Sequence, residues 1–368
     1  MSFSNIDALT NLFLQLAAID GVSLQERLIA DRITTLLRVH KIHVMEDGAG
    51  KRLSGEAGNL ICLPPDFKPD APAVMLSAHL DTVQSTAALR TKIENGRIHS
   101  DGTTILGADN RLGVTALMHL LLNLSLLPPA HKNFFVAFTV AEELGMLGAA
   151  QLDLSAYQVE GGFVFDCSQR PGVYIQKCAG AAVFQAKVLG RAAHAGVAPE
   201  EGINAIALAS AALAKIQTGR LDAETTVNVA KISGGKALNI VPDEVIIEGE
   251  VRGFSAARLN EQLANIQQEF LAAKQNGKIV FSSQTDFVPY NLPPQSPVVT
   301  RLERALRAVN LEPKPIRYMG GSDANVWNAK GIPAVNLGIG AQKPHSNDEF
   351  VLIEDLIKSA EIARALVQ

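Results

Sequence analysis

Ala73-Val-Met-Leu-Ser-Ala-His-Leu-Asp-Thr82 is an apolar run whose final positions carry a histidine and a carboxylate. Side chains alternate across a strand, so His79 and Asp81 project to the same side if the extended backbone continues through Leu80. An isolated His-x-Asp pair is more often a hydrogen-bonded pair that caps a buried strand. That interpretation is less convincing here, because apolar runs elsewhere in the chain also end in acidic residues or histidine: Asp109, Glu142, Glu143, Asp166 and His345. We therefore expect these side chains to share one pocket.

The composition describes an ordinary α/β protein of two domains. A chain of 368 residues is too long for one comfortable core, and 47% hydrophobic with 19% charged residues is typical of globular proteins. The net charge is -4 and no basic block occurs, which gives no support to binding of nucleic acid or anionic membranes. The longest apolar stretch, 114–127, is interrupted by His119 and Asn123 and predicts a buried helix, because it is too short to span a bilayer.

Two features favour a cytoplasmic protein. The segment Met1-Ser-Phe-Ser-Asn5 lacks a basic region that leads into an apolar core, so no secretory signal is expected. The chain has three cysteines without C-x-x-C spacing, which predicts reduced thiols at Cys62, Cys167 and Cys178.

Periodicity predicts most of the secondary structure. A capping box, Ser23-Leu-Gln-Glu26, is expected to open a helix that continues to about Val39. Other helices are expected at 6–19, 112–127, 297–309 and 353–367, and strands at 42–46, 59–63, 73–82, 133–140, 161–166 and 332–337, with a small hairpin at 93–98.

The pattern changes between about residues 178 and 286. Strands are expected at 184–189, 226–232, 244–254 and 278–283, and helices at 203–216 and 256–273. This β-α-β-β-α-β order is typical of a ferredoxin-like unit. We therefore expect an inserted α+β domain at 179–286, and a discontinuous α/β domain made of 1–178 and 287–368.

Two imidazoles and three carboxylates at the ends of apolar runs form a metal-ligand set. Ligands of open α/β sheets gather beyond the carboxyl ends of the strands. This donor set suits zinc, and cobalt or manganese with less selectivity. Two divalent ions, three carboxylates and one bridging hydroxide sum to zero charge, so the count favours a dinuclear centre.

The five candidate ligands divide between the two ions as follows: His79 and Asp166 on one, Glu143 and His345 on the other, and Asp109 bridging both. Two acids then remain as helpers. Asp81 could accept the second ring proton of His79 and fix its tautomer. Glu142 could take a proton from a metal-bound water and return it to a leaving amine, as a general base and acid.

In order, the motifs are His79-x-Asp81, Gly107-x-Asp109, Glu142-Glu143, Asp166 and His345. Over essentially the whole chain they resemble the motif set of the di-zinc metallopeptidase superfamily that includes peptidase T, aminoacylase-1 and the glutamate carboxypeptidases. The segments 106–110, 320–327 and 331–338 look most like the peptidase T-like branch. The resemblance implies a zinc-exopeptidase-like mixed sheet flanked by helices, with the inserted unit acting as a lid through which a homodimer forms.

The resemblance also implies roles for further residues. It makes Asp81 a support of the metal site and Glu142 the general base. His194 would stabilise the tetrahedral oxyanion, across the dimer, although a simple turn histidine is an equally good interpretation.

Four residues match positions that could contact substrate in relatives. Asn239 and Arg252 lie in the lid, where the forked donors of Arg252 suit a free carboxylate, but a surface salt bridge would also explain it. Gly321 and Ser322, after Gly320, could present backbone donors to substrate, and an ordinary turn explains them nearly as well.

One departure from the family pattern is visible at Asn110. Many relatives carry a second aspartate after the bridging one, and the peptide bond between the two is often cis. Asparagine changes the charge near the metals and leaves the ligands intact. It is therefore expected to influence metal affinity or substrate choice.

The expected function is that of a cytoplasmic di-zinc exopeptidase acting on short peptides, a tripeptidase-like aminopeptidase with Glu142 as general base to a metal-bridging hydroxide. An N-acyl amino acid amidohydrolase or a carboxypeptidase would use the same chemistry, and both stay open. A non-catalytic metal-binding relative has no need of Glu142.

Overall fold

The computed structural model describes residues 5–368. Residues 1–4, on which the expectation of no secretory signal partly rests, lie outside the described residues. The chain divides into two compact units, a larger one (Met1–Gln176, Asn291–Arg317 and Ser322–Gln368) and a smaller one (Lys177–Tyr290 and Tyr318–Gly321). The smaller unit extends slightly beyond the expected 179–286, and the separate segment Tyr318–Gly321 was not foreseen.

The strands are numbered in chain order. They are β1 (His43–Glu46), β2 (Leu60–Leu63), β3 (Ala73–His79), β4 (Thr91–Glu94), β5 (Arg97–Ser100), β6 (Phe134–Thr139), β7 (Val159–Cys167), β8 (Val173–Cys178), β9 (Gly180–Leu189), β10 (Gly219–Arg220), β11 (Thr225–Gly234), β12 (Glu244–Gly253), β13 (Lys278–Phe287), β14 (Tyr290–Asn291), β15 (Lys314–Tyr318), β16 (Ala334–Gly338) and β17 (Phe350–Leu352).

The helices are likewise numbered in chain order. They are α1 (Ile6–Ala17), α2 (Arg27–Val39), α3 (Ala49–Leu53), α4 (Ala108–Leu122), α5 (Leu147–Gln151), α6 (Ala205–Leu213), α7 (Ala256–Ala273), α8 (Pro297–Ala308), α9 (Asp323–Ala329) and α10 (Ile353–Leu366). In the part of the chain that the structure describes, none of the helices has the length and apolar character of a membrane span.

The larger unit is built on a mixed sheet flanked by helices, as expected. Its strand order is β1-β2-β6-β3-β7-β16-β8-β14, with β15 also paired to β8. The central strands β6, β3, β7 and β16 are parallel. Every residue of β3 is buried, because Leu76 lies between Val136 of β6 and Phe163 of β7. A buried parallel strand must be apolar along its whole length, which is why the 73–79 run was recognisable.

The smaller unit confirms the ferredoxin-like prediction. Its antiparallel sheet has the order β10-β11-β12-β9-β13, and α6 and α7 follow β9 and β12 in the chain. The core between helices and sheet includes Phe184, Ile247, Leu263 and Phe270. These residues alternate along the strands and recur at helical spacing along α7, so the pattern was readable in sequence.

Three local predictions have different outcomes. The hairpin around residues 93–98 is confirmed as β4 and β5, to which β17 adds a third strand. The predicted helix 112–127 ends earlier, at Leu122, and continues as a short 3-10 turn, Leu124–Leu126. The three cysteines are buried, and they form no disulfide among the described residues.

The capping-box prediction is wrong. Helix α2 starts at Arg27, and no side chain caps its first turn. The Ser23 hydroxyl instead donates to Asp81 Oδ2 at 2.7 Å. Glu26 Oε1 accepts from the N–H groups of Leu24 and Ala141, both at 2.9 Å. Both side chains of the motif are therefore engaged by other segments rather than by their own helix.

Candidate metal centre

Three adjacent parallel strands bring four of the predicted site residues to one edge of the sheet. His79 is the last residue of β3, Asp166 lies one residue before the end of β7, and Glu142 and Glu143 follow β6. Since β6, β3 and β7 are neighbours, their carboxyl ends lie side by side. The fold therefore gathers these four residues at the edge where α/β sheets bind ligands.

The other two candidate ligands, Asp109 and His345, lie on a helix and in a loop. Asp109 lies in the first turn of α4, where its φ and ψ angles of -84° and 103° are not helical. His345 does not end a strand, contrary to expectation. It lies in the loop between β16 and β17, with a φ of 64°.

The five candidate ligands form one continuous cluster. His79 Nε2 lies 3.2 Å from both Asp109 Oδ1 and Asp166 Oδ1. His345 Nε2 lies 3.4 Å from Asp109 Oδ2 and 3.0 Å from Glu143 Oε1. The two oxygens of Asp109 thus face two different histidine–carboxylate pairs.

This arrangement fits metal ions. One donor atom from each of His79, Asp109 and Glu143 lies within 4.8 Å of the other two, which is close enough for these residues to hold metal ions. Glu143 Oε1 is buried, and its described contact is His345 Nε2 at 3.0 Å. Burial of a carboxylate is costly, and a cation bound beside it would offset that cost. Two imidazoles and three carboxylates are donors that divalent zinc accepts.

The carboxylates of the cluster favour protonation of its histidines when no cation is bound. Burial opposes a charged ring in His79, but hydrogen bonds to Asp109, Asp166 and Asp81 raise its pKa well above the usual value. Hydrogen bonds to Asp109 and Glu143 raise the pKa of His345 to about 10. Burial likewise opposes ionisation of Asp109, yet the two histidines hold its pKa well below the usual range. Binding of cations would therefore displace protons from the imidazoles.

Asp81 contacts His79, as predicted from the sequence, and also contacts groups that were not predicted. Its Oδ1 lies 3.3 Å from His79 Nδ1 and accepts the N–H of Glu142 at 3.0 Å. Its Oδ2 accepts the N–H of Glu143 at 3.1 Å and the hydroxyl of Ser23. One carboxylate thus contacts a candidate ligand and also holds the backbone of the Glu142–Glu143 pair.

Asn110 is engaged on both sides of its amide. Its Nδ2 donates to Asp166 Oδ1 at 3.3 Å, and its Oδ1 accepts from the N–H of Gly113 at 3.1 Å. The Asp109–Asn110 peptide bond is cis. An ionised aspartate at position 110 could not donate to Asp166, so asparagine adds a contact to a candidate ligand.

Three buried carboxylates near the cluster were missed by the sequence analysis. Glu26 accepts the N–H of Ala141, Asp323 accepts the hydroxyl of Thr139 at 2.5 Å, and Glu349 accepts two backbone N–H groups. No sequence signal marks Glu26 or Glu349 as part of a site. Asp323 belongs to the quoted segment 320–327, which is its only indication.

Two predicted residues of the smaller unit lie together. His194 is exposed and forms a bridge with Ile240, and the N–H of Ala195 donates to the carbonyl of Asn239 at 2.9 Å. The N–H of Gly196 donates to His194 Nδ1 at 3.2 Å, which leaves Nε2 of the ring without a described contact of its own. His194 therefore lies in an isolated β-bridge directly before the turn at 195–197.

Arg252 has partners within its own unit. Its guanidinium donates to both carboxylate oxygens of Glu250, at 2.8 and 2.9 Å, and to the carbonyl of Met319 at 3.0 Å. It also lies over the ring of Phe287, 5.9 Å from the centroid. The salt-bridge alternative that the sequence left open is thus present, and a substrate carboxylate would have to compete with Glu250.

The Gly320–Ser322 segment is tightly packed. A Cβ on Gly321 would meet the Phe287 ring at 2.6 Å, so glycine is required there for packing. The N–H of Ser322 donates to Asn325 Oδ1 at 3.1 Å. This donor is therefore already engaged at the start of α9, which weighs against its predicted contact with substrate.

Comparisons with known proteins agree with this architecture. The family described as a peptidase dimerisation domain matches residues 179–278, and the one described as peptidase family M28 matches residues 60–180. The protein YqjE of Bacillus subtilis is 33% identical over 358 residues, which cover 97% of this chain and 96% of that protein.

Two solved structures are similar over the full length. The aminopeptidase PepT of Bacillus cereus has 32% identity and a TM-score of 0.90, covering 100% of this chain and 99% of that one. A tripeptidase of Staphylococcus aureus has 31% identity and a TM-score of 0.92, covering 99% of this chain and 98% of that one. The chain therefore belongs to the peptidase T-like family of metallopeptidases.

Proposed function

We propose that this protein is an exopeptidase that removes the N-terminal residue from short peptides, tripeptides foremost, with two divalent metal ions. Full-length similarity to an aminopeptidase and to a tripeptidase supports the substrate class. The observation that carries the dinuclear centre is the position of Asp109, whose two oxygens face separate histidine–carboxylate pairs.

In this proposal His79 and Asp166 hold one ion, His345 and Glu143 hold the other, and Asp109 bridges them. Zinc suits this donor set best, and cobalt or manganese could replace it. The bound metals would polarise the scissile carbonyl and acidify the attacking water. The protein's part is to fix the ligands, and Asp81 does so for His79 through Nδ1.

We assign general acid and base catalysis to Glu142. Burial, followed by the negative charge of Asp166, raises the pKa of Glu142 well above its usual value. A carboxyl group with a raised pKa can accept a proton from water and then deliver it to the leaving amine near neutral pH. The Asp81 carboxylate accepts the N–H of Glu142 and so fixes the backbone from which the Glu142 side chain extends.

We also propose a homodimer formed through the smaller unit. This unit exposes several large apolar side chains that a second copy could cover: Val197, Ile206, Ile232, Leu238 and Ile240. The match to a peptidase dimerisation domain covers the same region. His194 lies three residues before Val197 and forms a bridge with Ile240, which fits the proposal that it stabilises the oxyanion in the partner's site. Three buried cysteines that form no disulfide among the described residues fit a reducing compartment, the cytoplasm.

The test compares a tripeptide, its N-acetylated form, a dipeptide and an N-acyl amino acid as substrates, each with zinc, cobalt or manganese. We expect cleavage of the free tripeptide and its loss on N-acetylation. Preferential hydrolysis of the N-acyl amino acid would overturn the aminopeptidase assignment in favour of an amidohydrolase. Release of the C-terminal residue first would favour a carboxypeptidase.

Two variants test the roles of the residues. Glu142→Gln should keep two ions and the native fold while turnover falls by roughly 10²- to 10⁴-fold. Asp109→Ala should bind at most one ion tightly, as counted by elemental analysis after gel filtration. Near-normal turnover in the first variant, or two tightly bound ions in the second, would remove that residue from its role.

A further inference from the structure

The loop between β16 and β17 contacts Asp109 from two directions. His345 Nε2 lies 3.4 Å from the Asp109 carboxylate. Four residues later, Glu349 Oε1 accepts the N–H of Asp109 at 3.1 Å, and Glu349 Oε2 accepts the N–H of Gly107 at 2.7 Å. One loop therefore engages both the side chain and the backbone of the same residue.

The burial of Glu349 makes this contact unusual. Only 1% of the residue is exposed, and no lysine or arginine pairs with it among the described ion pairs. A buried carboxylate is costly to desolvate, and its hydrogen bonds to the two backbone N–H groups, at 2.7 and 3.1 Å, offset part of that cost. A surface position could anchor a turn without burying a charge. The position of Glu349 is explained if the turn that it anchors has to be held rigidly.

The turn that Glu349 holds has a backbone that helix formation alone does not fix. Gly107 has a φ of 72°, and Asp109 and Asn110 depart from helical angles at the start of α4. The N–H groups of this turn lie before the first full helical turn and have no partner within the helix. Glu349 supplies acceptors for two of them. Glu349 thereby fixes the backbone of Asp109, from which the Asp109 side chain extends.

We propose that Glu349 is a positioning residue of the metal centre, which holds the 107–109 turn so that the two oxygens of Asp109 face two separate ions. This role rests on the proposed dinuclear function. A bridging ligand must present both oxygens at once, so a small rotation of its backbone disturbs both ions together. Residues that orient metal ligands typically change metal affinity 10- to 100-fold when they are replaced.

The diagnostic substitution is Glu349→Gln. A glutamine keeps the size of the side chain but presents one oxygen and one NH₂ group. Whichever way the amide is oriented, one of the two backbone N–H groups then faces a donor. We expect a folded chain whose weaker-bound zinc ion dissociates at 10- to 100-fold lower chelator concentration.

Asp47→Asn is the matched control. Asp47 Oδ1 accepts two backbone N–H groups, from Ala49 at 2.9 Å and Asn59 at 2.8 Å, and Oδ2 accepts the side-chain amide of Asn59 at 2.8 Å. Whichever way the new amide is oriented, its NH₂ group therefore faces a donor, on a turn that carries no candidate ligand. Its zinc affinity should remain within twofold of the parent chain, even if its melting temperature falls as far as that of Glu349→Gln. The absorption bands of the cobalt-substituted proteins provide a second readout, since they change with ligand geometry and not with global stability.

The outcomes separate this inference from the proposed function. If the parent binds two ions and Glu349→Gln binds both with unchanged affinity and cobalt spectrum, Glu349 is only a structural anchor and the inference is wrong. It is also wrong if Asp47→Asn weakens zinc binding equally. A parent that binds fewer than two ions overturns the dinuclear centre itself. Should Glu349→Gln fail to fold, Glu349→Asp is judged by the same affinity and spectral criteria.

Discussion

Replacing Asp81 with asparagine should destabilise the larger unit even without metal. Asp81 Oδ1 accepts the N–H of Glu142, and Oδ2 accepts the N–H of Glu143 and the hydroxyl of Ser23. In an asparagine, one of these oxygens becomes an NH₂ group that faces a backbone donor. The loss of one hydrogen bond to a charged acceptor, with a buried N–H left unpaired, costs about 3 kcal/mol.

A second contribution comes from Arg111. Its guanidinium is fully buried, where burial lowers the pKa of Arg111 to about 10 and the charge of Asp81 acts in the opposite direction. Asp81→Asn removes that charge and leaves Arg111 with the carboxylates of Asp20 and Glu26, whose influence on it is smaller. The loss of this attraction adds to the cost of the substitution, whereas Glu26 and Asp323 lose the repulsion of the Asp81 charge.

Urea unfolding of the chelator-treated protein measures this cost. Trp327 is the single tryptophan, is fully buried and belongs to the larger unit, so its fluorescence follows the unfolding of that unit. With a slope of about 2–3 kcal/mol per molar urea, the unfolding midpoint should fall by about 1 M.

Ser23→Ala gives the matched comparison. It removes the 2.7 Å hydrogen bond to Asp81 and should cost about 1.5 kcal/mol in the parent, but clearly less in the Asp81→Asn background. A change below about 0.5 kcal/mol in Asp81→Asn, or a Ser23→Ala cost that is identical in both backgrounds, would refute the reasoning from these hydrogen bonds.

Three further predictions concern other parts of the chain. Gly340→Ala should destabilise the larger unit by about 2–4 kcal/mol in urea titrations, because the φ of Gly340 is 92° and the new Cβ would lie 2.7 Å from Asp355. Gly331→Ala is the control: its φ is 80°, but the new Cβ would meet open space, so it should cost only about 1 kcal/mol. Equal costs would contradict the steric argument. Inactive His194→Ala and Glu142→Gln chains, mixed into verified heterodimers, should recover part of the parent turnover, and no recovery would place His194 outside the partner's site. In native protein a thiol reagent at pH 8 should leave the buried cysteines unlabelled, whereas in urea it should label all three: Cys62, Cys167 and Cys178.

The helices and strands that could be predicted from the sequence are those in which apolar side chains recur with a clear period. The buried run 73–79 became β3 because a central parallel strand needs apolar residues on both faces. The smaller unit was equally readable, since its strands alternate over one helical layer. Short elements such as α3, α5 and β17 were missed, because three to five residues carry no measurable period.

The candidate site was predictable where a ligand ends a strand and less so elsewhere. His79 and Asp166 lie where the apolar runs placed them, whereas His345 lies in a loop and was assigned through the order of the motifs. Ser23 and Glu26 matched a local capping pattern, but tertiary contacts with Asp81 and Ala141 replaced it. Glu349 could not be found from sequence, because its role depends on a contact across 240 residues of chain.

The candidate ligands lie far apart in the sequence, and this has a consequence for biosynthesis. The candidate ligands extend from His79 to His345, so a ribosome must deliver nearly the whole polypeptide before the centre can assemble. The continuous stretch Lys177–Tyr290 can begin to fold during translation, while β16 and the His345 loop are still being added. In the proposed dinuclear centre, the ion held by Glu143 and His345 could therefore bind only after translation has passed residue 345.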